Sequence, residues 1–403
     1  MKGTLKRGYM NRDRNKTRRG KTRRGKTRRN NKIITGIPSR DKDIKASIDI
    51  SAIKHNINVL SSHAKTDIMP VLKANAYGNG LLEMAKIVRR FGSKYIGVAT
   101  LGEAILLRKN GDNGRILSWL YDIDGPEIKD AMHLDLDIAI FDETIIQKFI
   151  QMIPHNLSKK IKVTMFVDTG INRAGITYDK ALEAFQEVIK CDKIELVGMM
   201  SHLVCSQIKN SPIVNEQLRK FRDLRERLAE INIRPPLVHI ANSLACFNYD
   251  VSDFTLARSG QALYGTTIIK QPELKLATTL TSYIIQLKDV KKGEGIGYDW
   301  TYKAPRNMRI AIVPIGYADI IPRNASNKMY VYINDTKRKM LGSVSMDQIV
   351  VEAKEKDKVN DIVYIFGNGK NCPQTIYDIE KISKMIPIEI TSHTGYRVNR
   401  IYN

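Results

Sequence analysis

Eight short apolar runs between residues 68 and 257 alternate with helical patterns. The runs cover 68–72, 95–100, 115–119, 137–141, 161–167, 195–201, 236–240 and 254–257. Each is bounded by turn residues and is too short for a helix, which marks a buried strand. The helical patterns between them occupy 80–91, 102–110, 126–131, 143–153, 178–190 and 214–231, with a short one near 243–247. Upstream, 46–53 reads as a strand leading into a helix near Ser51. Strands that alternate with helices pair in parallel, because each helix carries the chain back to the start of the sheet. A doubly wound sheet would satisfy the alternation too. The strand count, within the roughly 250 residues typical of a barrel, favours a (β/α)8 TIM barrel.

After about residue 272 the pattern changes. Segments 279–288, 308–314, 329–334, 338–343, 348–352 and 361–365 are short and β-rich. Turn signals such as Asn334-Asp335 and Gly367-Asn368-Gly369 separate them, as in an all-β domain. One helix is expected there, near Thr375–Met385. The chain thus divides into a basic tail (1–40), a barrel (41–272) and a C-terminal all-β domain (273–403).

The net charge of +24 is uneven, for residues 1–40 hold 16 Lys and Arg against one acidic residue, Asp13. The tail repeats Lys16-Thr17-Arg18-Arg19-Gly20 at Lys21 and, with Asn30 in place of Gly, at Lys26. A low-complexity stretch without periodic apolar residues is expected to be disordered. It reads as a solvated extension or as the product of an early start site. Nucleic-acid binding through phosphate contacts is the alternative. Cys191, Cys205, Cys246 and Cys372 are scattered with no CxxC pair, which argues against a zinc site or a disulfide scaffold and suits a reducing cytoplasm. No apolar run approaches the ~18 residues of a membrane span.

Lys73 closes the run Met69-Pro70-Val71-Leu72, and Ala74-Asn75-Ala76-Tyr77-Gly78-Asn79-Gly80 follows it. The C-terminal end of a barrel strand is where such folds keep their chemistry. A partly desolvated amine there loses some preference for its charged form. Once neutral, it can hold an aldehyde cofactor as a Schiff base. Polar residues also follow later strands. Asp168-Thr169-Gly170 leads to Arg173, and Ser201-His202 comes next. His239-Ile240-Ala241-Asn242-Ser243 and Arg258-Ser259-Gly260-Gln261 follow the last two strands. Backbone N–H groups at Ser243, Gly260 and Gln261, with the Ser243 hydroxyl, suit a phosphate.

The segment Lys73–Gly80 resembles the cofactor-lysine segment of the alanine racemases, pyridoxal 5'-phosphate enzymes of fold-type III. A barrel followed by a β domain is also that family's architecture, and the resemblance runs from about residue 45 to 403. It implies that Lys73 carries the cofactor and that Tyr77 binds its phosphate. His202 would stack under the ring, Asn242-Ser243 would lie on the phosphate side, and Arg258 would meet the pyridine nitrogen. A guanidinium can only donate, so it would leave that nitrogen unprotonated and favour quick reprotonation at the same carbon. Gly295-Ile296-Gly297-Tyr298 resembles the segment of the second catalytic base, Tyr298. The phenol's ordinary pKa is about 10, and Arg173, His202 and Arg258 would supply a cationic neighbourhood to lower it. Arg173 would help hold that tyrosine and the substrate. Gly342–Gln348 resembles the segment in which the Met346 N–H binds the substrate carboxylate. Ile315–Asp319, with Tyr317, resembles a gate. Tyr396 would touch the phosphate and narrow the entrance. The resemblance further implies a homodimer in which Tyr298, Tyr317 and Met346 act on the partner's barrel. Lys73 would serve the D face and Tyr298 the L face of alanine, in the cytoplasm, supplying D-alanine for peptidoglycan.

Several positions depart from the family pattern. Phe166 stands where a carbamylated lysine is common, so Arg173 needs another anion, such as chloride, or another partner. Asn79 replaces a common histidine, Ser345 a frequent cysteine and Ile320 the usual glycine. Serine or broad-specificity racemases are the closest alternative. Serine racemases of the glycopeptide-resistance type usually carry a membrane domain and a wider pocket at the position of the bulky Tyr396. Related barrel decarboxylases place a carboxylate where Arg258 stands.

Overall fold

The computed structural model describes residues 43–369 and 372–403, and the basic tail read from the sequence lies outside them. β1 (Lys45–Ile48) precedes helix α1 (Ile50–Ala64), which Asp49 caps by accepting the Ala52 N–H at 3.0 Å. Eight parallel strands follow, β2 (Asp67–Pro70), β3 (Tyr95–Thr100), β4 (Arg115–Leu120), β5 (Asp137–Ile140), β6 (Ile161–Asp168), β7 (Ile194–Met200), β8 (Leu237–His239) and β9 (Leu256–Ser259). Between them run α2 (Leu81–Arg90), α3 (Leu101–Lys109), α4 (Glu127–His133), α5 (Ile146–Met152), α6 (Tyr178–Ile189), α7 (Pro212–Glu230) and the short α8 (Ala245–Asn248).

Strands β3 to β8 pair in chain order, and β9 pairs with β2. The remaining gaps are bridged by Leu72 N–H to the Gly97 carbonyl at 2.8 Å and by Arg258 N–H to the Ala241 carbonyl at 2.9 Å. The sheet therefore closes into the expected (β/α)8 barrel. Side chains alternate along each strand. Met69, Leu117, Ala139, Phe166, Met200 and Leu256, from six different strands, form one buried cluster. Their neighbours Ile68, Ile116, Ile138, Met165, Val167 and Met199 pack in a separate cluster that also contains the helix residues. The first set fills the barrel and the second seals its outer face. The strand ends therefore form a solid floor, with chemistry possible only above it.

The second sheet has nine strands. It comprises β10 (Thr278–Tyr283), β11 (Gln286–Val290), β12 (Met308–Val313), β13 (Tyr330–Ile333), β14 (Thr336–Leu341), β15 (Ile349–Ala353), β16 (Ile362–Phe366), β17 (Asn399–Tyr402) and β1. The segment read as one strand over 279–288 is two, β10 and β11. β1, which falls in the barrel segment by position, pairs antiparallel with β10 and parallel with β17. Among the described residues two α-helices occur here, α9 (Ile376–Ser383) and the unanticipated α10 (Pro387–Ser392). Pro387 opens α10, a position that wastes no backbone donor.

Arg338 and Asp357 form an ion pair inside this domain, with both side chains fully buried. The guanidinium donates from Nε at 3.0 Å and from Nη2 at 2.8 Å, and the Lys354 N–H adds a third bond at 2.7 Å. Removing one partner leaves the other charge buried alone, which costs about 3–5 kcal/mol. Asp357→Ala should lower the unfolding free energy by about that amount in urea titration.

Candidate active site

Above the barrel floor lies a cavity of about 760 Å³. Lys73, Tyr77, Arg173, His202, Ser243, Arg258, Gly260 and Gln261 all line it. They come from the ends of β2, β6, β7, β8 and β9, so barrel closure alone brings together residues spread over nearly 190 positions of sequence. Apolar walls come from Trp119, Leu120 and Phe166, from Ile386 just before α10 and from Ile388 within it. The last two were missed in the sequence because α10 was. The Met385-Ile386-Pro387 step was its available signal.

The chain after Lys73 takes an unusual path. Ala74, Asn75, Ala76 and Tyr77 all have φ between 52° and 55°. This is a left-handed helical turn without a glycine, at a cost of roughly 1–2 kcal/mol per residue. It aims the Lys73 amine and the Tyr77 phenol into the same cavity, with the amine 6.0 Å from the ring centroid. Glu103, not identified from the sequence, holds the turn's start by accepting the Ala74 N–H at 2.6 Å. Its other oxygen accepts the Ala99 and Thr100 N–H groups, at 3.0 and 3.2 Å. Thr100-x-x-Glu103 is legible as a capping box, but its reach across to Lys73's turn is a tertiary fact.

Burial pushes the Lys73 amine below its ordinary pKa, and the Arg173 charge adds to this. Glu103 opposes the shift, while Arg258 reinforces it. The neutral amine is thus reached at lower pH than in a free lysine. Competitive acylation of Lys73 against pH should show an early midpoint, and Arg173→Gln should move it upward.

Arg258 is buried at the end of β9. Nη1 donates to the His239 carbonyl and to His239 Nδ1, each at 2.8 Å. Nη2 donates to the Ser201 carbonyl at 2.6 Å and to His202 Nδ1 at 3.3 Å. Its Nε has no hydrogen-bond partner among the described residues. Burial pulls the guanidinium down to about 10, so it still holds its proton at neutral pH. Burial, together with Arg258, Arg173 and Lys73, drives His202 down to about 3. His202 is therefore neutral and accepts at Nδ1. The expectation that it adds positive charge is corrected by this: the cations here are Arg173 and Arg258.

Gly260 lies directly under Tyr77, where an added Cβ would stand 2.0 Å from the phenol oxygen. The Ser243 hydroxyl is 3.0 Å from that of Ser259. Phe166 sits in the barrel cluster. The Arg173 guanidinium makes no ion pair among the described residues, whereas the backbone N–H of Arg173 donates to the Asp168 carboxylate at 3.1 Å.

Tyr298, Met346 and Tyr396 do not line the cavity of their own chain. They are 67%, 51% and 82% exposed, and Tyr317 and Trp300 of the same β domain are exposed too. Their segments are tied together. Tyr317 N–H bonds the Ser345 carbonyl and Ala318 N–H that of Met346, both at 3.1 Å, while Gly395 N–H bonds Asp319 at 2.7 Å. Arg397 clamps Asp319 at 3.0 Å and Asp347 at 2.6 Å. Asn79 is buried and Ile320 is packed under this surface.

Fold and cavity together define a class, the β/α-barrel enzymes that work through an amine at the strand ends. Sequence similarity narrows it. Residues 48–268 match the alanine racemase N-terminal domain and residues 277–402 the alanine racemase C-terminal domain. The chain belongs to the alanine racemase family, whose members are isomerases. It is 32% identical to the alanine racemase of Thermobifida fusca (strain YX), over 89% of this chain and 97% of that one. It is 34% identical to that of Borreliella burgdorferi (strain ZS7), over 88% and 96%. The crystal structure of alanine racemase from D-cycloserine-producing Streptomyces lavendulae superposes with a TM-score of 0.84 at 30% identity, covering 91% of this chain and 98% of that chain. No described helix is long and apolar enough to cross a membrane.

Proposed function

We propose that this chain interconverts L-alanine and D-alanine with pyridoxal 5'-phosphate, as a cytoplasmic homodimer. The observation that supports this best is the single cavity holding the Lys73 amine among Arg173, His202 and Arg258. The residues fit the cofactor. Burial lowers the Lys73 pKa, which favours the neutral, nucleophilic amine. Tyr77, Gly260, Gln261 and Ser243 make a polar cradle on the cavity wall, and a Cβ at 260 would collide with the Tyr77 phenol. Arg258 can donate from Nε but not protonate an acceptor nitrogen. When bound, the cofactor would supply electron withdrawal from the substrate's Cα–H bond.

The chain's own residues then have separate tasks. Lys73 Nζ removes or returns the Cα proton on the D face, and Tyr298 Oη of a second copy does so on the L face. Racemisation requires both, one on each side of a planar carbon. The Arg173 guanidinium, with no carboxylate partner among the described residues, is available for the substrate carboxylate, alongside the Met346 N–H of the second copy. The exposure of Tyr298, Met346 and Tyr396 in one chain supports a site completed by another. A homodimer with two shared sites is the simplest closed arrangement.

Purified protein with added pyridoxal phosphate should abolish the optical rotation of L-alanine, faster than that of L-serine or L-lysine. Persistence of all three rotations would overturn the reading, and faster loss with serine would move it to a serine racemase.

A further inference from the structure

A left-handed turn of four non-glycine residues persists only where its neighbours over-determine it. Glu103 and Asn75 act from one side. Glu103 holds the Ala74 N–H, and the Asn75 side chain accepts the Leu81 N–H at 2.8 Å. The other side is held by β17, a strand of the second sheet. Arg400 donates from Nε to the Gly78 carbonyl at 2.6 Å. Its Nη1 and Nη2 bond the Val398 and Thr394 carbonyls, each at 3.0 Å. It has no carboxylate partner among the described residues. Two residues on, the Tyr402 hydroxyl donates to the Asn79 carbonyl at 2.7 Å. The fit is tight, for a Cβ at Gly80 would stand 2.1 Å from that hydroxyl. Asn79 is also tied to the sheet by the Thr278 hydroxyl at 3.1 Å.

These bonds from β17 end on backbone carbonyls of the turn's exit, so they read its conformation and not its side chains. We infer that β17 is a latch on the lysine turn, with Arg400 and Tyr402 as positioning residues that hold Ala74–Tyr77 left-handed and Glu103 as the opposing anchor. The latch sets where the Lys73 amine and the Tyr77 phenol enter the cavity. Only its effect on cofactor binding rests on the function proposed above.

The test is hydrogen exchange in the cofactor-free full chain. The amides of Ala76, Gly78 and Gly80 are bonded inside the turn, at 2.7, 3.0 and 2.9 Å, and should be protected. Arg400→Gln should speed exchange across 74–81 at least tenfold while the strands of the barrel keep their protection. Arg400→Lys, which retains a donor, should recover most of it. Tyr402→Phe removes one hydroxyl and provides a milder variant if Arg400→Gln does not fold. It should show the same local change at smaller size. Pyridoxal phosphate, titrated by absorbance, should bind the Gln variant at least tenfold more weakly. Unchanged exchange at 74–81 in a folded variant would overturn the latch, as would loss of protection spread evenly over the barrel. If pyridoxal phosphate fails to bind the unaltered chain, the functional reading falls, and the exchange data alone decide the latch.

Discussion

Lys73→Ala should lose racemase activity by more than about a thousandfold. A positioned acid–base group contributes typically 10²–10⁴ in rate, and the same amine is the proposed attachment point of the cofactor. The substitution removes a side chain that makes no hydrogen bond to the protein among the described residues, so stability should change little. The visible absorbance of the bound cofactor should change with the activity. Retention of a tenth of the activity would remove Lys73 from the mechanism.

Tyr298→Phe should produce a different signature. The enantiomers have equal free energies, so the two directions of net racemisation must slow by the same factor, expected near 10²–10⁴. The asymmetry appears in proton exchange. Lys73 alone can remove and return the Cα proton of D-alanine, so D-alanine should still pick up deuterium from solvent without inversion. Exchange into L-alanine should fall with racemisation. Equal exchange of both enantiomers would dismiss the assignment of faces. Because Tyr298 is 67% exposed in the single chain, a folding defect is a poor explanation for either result. Mixing the Lys73→Ala and Tyr298→Phe proteins tests the shared site further. Random pairing of subunits should restore about a quarter of the unaltered activity, because each mixed dimer keeps one complete site. A site made within one chain would restore none.

The barrel strands were legible because each carries its own evidence. Apolar runs such as 161–167 end at turn residues, and the structure places β6 within a residue of that span. What local pattern cannot supply is the partner. Residues 45–48 read correctly as a strand, yet nothing within them says that they pair with 278–281 and 399–402. The left-handed turn was hidden for a related reason. Asn75 tolerates positive φ, but Ala74 and Ala76 have no intrinsic preference for it, and β17 and Glu103 impose it from far along the chain. Lys73 and His202 follow strand ends and Arg258 stands near the end of β9, so all three can be found from topology. Tyr298 and Met346 cannot, because within one chain the structure leaves them on an exposed face away from the cavity. Only the family resemblance singled them out. His202 shows the opposite limit, since its identity was readable but its neutrality depends first on burial and then on the nearby Arg258, Arg173 and Lys73.

The parallel pairing of β1 with β17 also has a consequence for biosynthesis. Residues 45–48 must wait for residues 399–402, which at about 5–20 residues per second means roughly 20–70 s on the ribosome. The barrel can condense during that interval, but β1 lacks one neighbour and Arg400 and Tyr402 have not yet emerged. A nascent chain halted before residue 399 should therefore carry a folded barrel with a loose lysine turn, and catalytic competence should arrive abruptly with the final strand.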